Sequence, residues 1–196
     1  MVVATGITSV VTQLLTIREY LTQFEGNEFV IALILFVWLV WGGFGTLAAR
    51  HIAERIWTPR PGRLAALSLV LGAMPPVQIL AIRMLRDVVF IHGSSVGFYP
   101  TLLYIFTTAA PYSFLVGFAL PYSLFLLRRQ QPEYSGTRIY IVDNLGDVAG
   151  GALFTFVLVY WLTPLQAAMV CGWPLLLTAW RLFHHGGRQT IWMGVA

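Results

Sequence analysis

Apolar residues dominate five long blocks of the chain: Phe29–Ala49, Leu64–Val89, Tyr99–Leu127, Ile139–Leu162 and Pro164–Phe183. A helix that crosses a bilayer needs roughly 20 mostly apolar residues, and each block supplies them. The pattern of residues 3–24 is different. Ile7, Val10, Leu14, Ile17, Leu21 and Phe24 recur at three-four spacing and share one helical face. Thr5, Ser9, Thr12, Thr16, Glu19 and Gln23 line the opposite face. Such a helix could lie flat at the membrane surface, but interfacial helices are usually rich in Lys and Arg on their polar side. This one carries hydroxyls, an amide and a single Arg18–Glu19 pair. The reading we adopt is a sixth crossing whose polar stripe faces other helices.

The expected fold is therefore all-α: one polytopic bundle over residues 1–196, with helices near 3–24, 29–49, 64–89, 99–127, 139–162 and 164–183. Charge orients it. All twelve basic residues are arginines, and the net charge is +4. Nine arginines (Arg50, Arg55, Arg60, Arg63, Arg128, Arg129, Arg138, Arg181 and Arg188) fall in alternate connections and the tail. Only Arg83 and Arg86 fall on the other side, leaving aside Arg18 within the first helix. Arginine-rich loops stay in the cytoplasm, so both termini are expected there, in an inner (plasma) membrane. The alternation holds only if residues 3–24 cross.

Composition excludes other classes. Apolar residues make up 58% of the chain and charged residues 10%, whereas soluble domains run near half and a quarter. The arginines sit at segment ends, not on a water-facing patch, which argues against nucleic acid as a partner. The single Cys171 allows no internal disulfide and no cysteine-based zinc site. No cleavable signal peptide is expected. His51, His92, His184 and His185 lie at segment ends, where they could not form a pair of haem ligands within facing helices. Gly150–Gly151 falls in a helix, so a nucleotide-binding loop fails on context. No metal, cofactor or catalytic residue is expected. The tryptophans suit helix ends and packing. Pro75, Pro76, Pro111, Pro121 and Pro174 lie inside helices and favour kinks.

Candidate chemistry concentrates on Tyr140–Gly151. Gly146 and Gly150 are four apart and would let another helix approach closely. Asp143 and Asp147 share a neighbouring face, and carboxylates in membrane helices usually point into the bundle or a wet cavity. Counted from Ile139, Asp143 is about 6 Å and Asp147 about 12 Å deep. Counted from Val3, Thr12 and Gln13 lie about 14–15 Å deep, which makes them the partners expected by depth. Arg18 lies about 10 Å further on, where pairing needs tilt. The candidate intramembrane polar site is thus Asp143, Asp147, Gln13, Thr12, Arg18 and Glu19. Two readings remain open for Asp147: a hydrogen-bonded packing residue, or part of a ligand or proton site.

Four stretches also resemble a known family. Thr8-Ser-Val-Val-Thr-Gln13-Leu-Leu-Thr-Ile-Arg18-Glu19-Tyr, Phe24-Glu-Gly26-Asn27-Glu28 and Trp38-Leu-Val-Trp-Gly42-Gly-Phe-Gly45 resemble the start of spermidine-synthase-like membrane proteins. Tyr140–Phe154 resembles a later membrane helix of the same family. Gln13, Arg18, Glu28, Asp143 and Gly146 are the matching positions. In that family a membrane region precedes a soluble aminopropyltransferase-like domain, which binds the donor through a glycine-rich loop. No such domain follows within these 196 residues. The resemblance implies a membrane module or subunit, not catalytic on its own, that anchors or organises a partner enzyme. Two other functions stay open: a carrier for a polyamine-type cation or proton, and the membrane arm of a quinone- or cytochrome-linked complex.

Overall fold

The computed structural model describes residues 1–24, 28–55, 60–91 and 96–184. Glu25–Asn27, Trp57, His92, His185, Arg188 and Trp192 lie outside the described residues. The chain is an all-α, multi-helix bundle of membrane-protein type. Its elements are α1 (Val2–Gln23), α2 (Glu28–Arg55), α3 (Pro61–Val89), α4 (Phe98–Gln130), α5 (Gly136–Leu153), α6 (Val159–Trp161), α7 (Pro164–Cys171) and α8 (Trp173–His184). A π-helical turn, Phe154–Leu158, joins α5 to α6.

Among the described residues four helices are long and apolar enough to cross a membrane: Glu28–Ile52, Pro61–Val89, Phe98–Gln130 and Gly136–Trp161. The first helix and the last helical segment fall short for different reasons. The apolar character of α1 is diluted by its threonines, Arg18 and Glu19. The helix expected over 164–183 is broken in two at Gly172. Pro174, expected inside a helix, lies instead in the first turn of α8, where a missing N–H costs nothing. Thr163 starts α7 with a capping box, its hydroxyl accepting from the Gln166 backbone while the Gln166 side chain accepts from the Thr163 backbone.

Lipid offers no hydrophobic drive for helices to associate, so close backbone approach matters. Glycines provide it at three crossings. In α1 against α5, a Cβ at Gly6 or Gly146 would come within 2.5 Å of the Asp143 or Val3 carbonyl oxygen, and one at Gly150 within 2.8 Å of the Ile7 carbonyl oxygen. In α2 against α4, Gly45 lies on the Phe114 carbonyl and Gly117 on that of Gly42. In α3 against α8, Gly72 and Gly172 meet backbone to backbone.

These contacts fix direction. The α5 glycines climb with α1 (Gly146 at Val3, Gly150 at Ile7), so α1 and α5 run parallel. α3 runs parallel to α1 as well: Val2 clusters with Leu64 and Ala65, and Glu19 meets Arg83. α2 and α4 run parallel to each other, from Phe29–Phe98 to Gly42–Gly117. α7 and α8 run antiparallel to α3, because Ala167 clusters with Ile79 while Leu182 clusters with Leu64. The helical passes thus alternate in direction. Arg50, Arg60, Arg63, Arg128, Arg129, Arg138 and Arg181 gather at one end, and Arg83 and Arg86 sit at the other. We call these the inner and outer ends.

α1 sits at the centre. Eleven of its 22 residues are buried, against three of 18 in α5. The buried side is largely the polar one: Thr5, Thr12, Thr16 and Glu19 are buried, whereas Ile7, Val10, Leu14 and Ile17 are only half-buried. A helix with this stripe is tolerable in a membrane because α3, α4, α5 and α7–α8 shield it from lipid.

Candidate functional site

A column of polar side chains follows the buried face of α1 from the inner to the outer end. At the outer end Glu19 is 2% exposed, and the Arg83 side chain is 41% exposed. Their pairing is bidentate: Arg83 Nε donates to Glu19 Oε1 at 2.6 Å and Nη2 to Oε2 at 2.8 Å. The planar guanidinium suits this fork geometry. Gln23 Nε2 also donates to Glu19 Oε1 at 3.3 Å, and Arg86 Nε to the Gln23 carbonyl at 3.0 Å. Two arginines of α3 therefore clamp the last turn of α1.

Just below, the Tyr20 hydroxyl meets that of Thr108 on α4, and Thr108 donates to the Tyr104 carbonyl. The Tyr104 hydroxyl donates to the Ile82 carbonyl on α3. One relay thus ties α1, α4 and α3.

The middle of the column is organised by the break in the last pass. Leu175 N–H, which would serve the Cys171 carbonyl in a continuous helix, turns to the Gly172 carbonyl. The freed Cys171 carbonyl accepts from the Thr8 hydroxyl at 2.8 Å. Thr12 donates to the Thr8 carbonyl at 2.7 Å and lies 3.7 Å from Cys171 Sγ. Tyr112 on α4 donates to the same Thr8 carbonyl at 3.3 Å. A bare carbonyl in the hydrocarbon core is costly, and non-helical backbone is tolerated there only when protein satisfies it. Thr8 does so.

The carboxylates of α5 form a separate locale at the inner end. Asp143 and Asp147 stand one turn apart and interact with each other. Ser9 of α1 lies beside Asp147, and its hydroxyl donates to the Gly6 carbonyl at 2.9 Å. Asp143 Oδ1 is buried without a hydrogen-bond partner.

The six expected site residues are thus divided. α1 and α5 are neighbours, but Ser9 stands beside Asp147 where Thr12 and Gln13 were expected. The depth count treated Val3 and Ile139 as equal starting points, whereas the glycine contacts set the register. A Cβ at Gly6 would lie 3.0 Å from Asp147 N. Thr12 is six residues further along, about 9 Å. Arg18 is about 18 Å along from Gly6, too far to reach the α5 carboxylates. Glu19 pairs with Arg83 of α3 instead. Gly146 and Gly150 face α1 backbone, as described above.

Sequence reasoning missed Arg83, Thr8, Thr108, Tyr112, Gln78 and Cys171 as members of the polar system. By sequence, Arg83 reads only as one of the two charges on the arginine-poor side. A lone glutamate on a crossing helix was the available signal, since such a group needs a cation within reach. Among the described residues no three His, Cys, Asp or Glu side chains converge into a group able to hold a metal ion. No family model matches the chain, and no curated protein or solved structure shows significant similarity to it.

Proposed function

We propose that this chain is a membrane module that anchors and organises a partner enzyme or complex, with no chemistry of its own. The observation that carries this reading is how the polar groups of α1 are used. Thr5, Thr8 and Thr12 donate to backbone carbonyls, and Glu19 is consumed by Arg83. This polarity builds the bundle. The likeness to spermidine-synthase-like membrane regions suggests the partner's class: a soluble aminopropyltransferase-like domain or subunit. Gentle solubilisation from native membranes tests the idea. A stoichiometric partner carrying a soluble catalytic domain is expected, and an active monomer without one would overturn it.

In this reading all six passes cross an inner (plasma) membrane, with the arginine-rich end and both termini in the cytoplasm. Cysteines introduced as Gly62→Cys and Glu133→Cys, in a Cys171→Ala background, should react with an impermeant maleimide only from the cytoplasmic side. Ile91→Cys, at the opposite end, should react only from outside. Labelling of positions 62 and 133 from opposite faces would contradict six passes.

One observation favours a carrier for a cation or proton: Asp143 Oδ1 is buried and unpartnered beside Asp147. Asp147 separates the readings. In a module, Asp147→Asn changes melting little, because the Ser9 hydroxyl is already bonded to the Gly6 carbonyl. Asp147→Leu also lowers stability by less than about 1 kcal/mol, because the Ser9 hydroxyl keeps its bond to the Gly6 carbonyl. In a carrier, Asp147→Asn abolishes polyamine or proton flux in vesicles while melting is unchanged.

A further inference from the structure

Buried hydroxyls in this bundle have a common habit. Thr5, Thr12, Ser68, Thr108, Ser113 and Ser123 each donate to the carbonyl four residues back on their own helix. Such bonding lets a hydroxyl sit inside a membrane helix at little cost. Thr16 departs from the habit. It is 0% exposed, yet its Oγ1 has no partner, although the Thr12 carbonyl lies one turn behind it. Gln78 on α3 is 3% exposed, and its Nε2 is likewise unpartnered.

The two orphans lie at one height. Arg83 pairs with Glu19, and Arg86 with the Gln23 carbonyl, so parallel α3 and α1 are aligned at an offset of 63–64 residues. On that alignment Gln78 is level with Leu14 or Leu15, within about 3 Å of axial rise from Thr16. The packing agrees: Ile79 clusters with Leu15, and Ile82 with Tyr20. Buried polar groups are otherwise satisfied by protein or by ordered water. A buried water needs two to four polar partners, and a hydroxyl and a carboxamide at one height supply two.

We propose that the α1–α3 interface holds a structural water between Thr16 Oγ1 and the Gln78 carboxamide, closed towards the outer end by the Glu19–Arg83 pair. The site is independent of the α5 carboxylates and of any partner enzyme. It lets Thr16 forgo the bond to its own helix, and it links α1 to α3 between the Glu19–Arg83 clamp and the Thr8–Cys171 contact, nearer the clamp.

Water-edited solid-state NMR of the full chain in lipid bilayers tests this. Magnetisation from water should reach the Thr16 and Gln78 side chains several-fold faster than those of Ser68 and Ser123, which are as buried but bonded to their own helices. Build-up as slow as in those serines would overturn the proposal. Thermal melting of Thr16→Val, Gln78→Leu and the double variant supplies a second readout. Each single change leaves one group and the water stranded, so the double variant should melt well above the sum of the two losses. Strictly additive losses would overturn the water, and so would coupling without fast transfer, which would mean a direct Thr16–Gln78 bond.

Discussion

Replacing Arg83 with Met should lower the stability of the bundle by about 3 kcal/mol, measured as reversible unfolding in detergent micelles. Removing one partner of a buried ion pair typically costs roughly 3–5 kcal/mol, because the other charge is left without compensation. Glu19, at 2% exposure, is that other charge, while Arg83 is 41% exposed and partly solvated, which places the loss at the low end. Methionine keeps the length and packing of the arginine stem, so the change isolates the charge. Arg83→Lys should recover only part of the loss, since an ammonium cannot reproduce the two parallel bonds to Oε1 and Oε2. The double variant Arg83→Met with Glu19→Gln should be more stable than Arg83→Met alone, because no buried charge remains. Equal melting of Arg83→Met and the unaltered protein would mean that the fork contributes nothing.

Gly117→Leu should be of similar severity. A Cβ at Gly117 would collide with the Gly42 carbonyl oxygen, Cα and carbonyl carbon, all backbone atoms of α2. No flexible side chain can yield, so α2 and α4 must separate. Overpacking typically costs roughly 1–3 kcal/mol, and the upper end applies where only a helix shift relieves the clash. The same separation breaks the bond from Thr46 Oγ1 to the Gly117 carbonyl. Gly43→Leu is the matched control, one residue from the contact, because a Cβ there meets nothing within 4 Å. Differential scanning fluorimetry should show a large drop for position 117 and almost none for position 43. Comparable drops at both positions would place the α2–α4 contact elsewhere.

The two variants probe different kinds of information. Gly42, Gly45 and Gly117 are small residues in apolar runs, and their spacing marks surfaces where helices can approach. It does not say which run meets which. The Gly146–Gly150 pair was legible as a packing face, yet its partner came from the register of α1 on α5.

The class of the molecule was legible in the chain alone. Apolar content and long unbroken runs follow from the solvent a membrane helix must satisfy, and that constraint acts on each segment separately. It also marked α1 as unusual, since a polar stripe in such a chain has to face protein. What the stripe meets depends on how the helices pack. Depth counting matched Thr12 and Gln13 to Asp147, whereas glycine contacts slide the helices so that Ser9 takes that place. Glu19 found Arg83, 64 residues away, and Thr8 found a carbonyl freed by a break 163 residues away. Hydrogen bonds of this kind form over a few ångströms between groups far apart in sequence. They depend on register and rotation, and the apolar runs constrain these weakly because Leu, Val and Ile pack against one another in many registers. A few backbone collisions and polar pairings select one register.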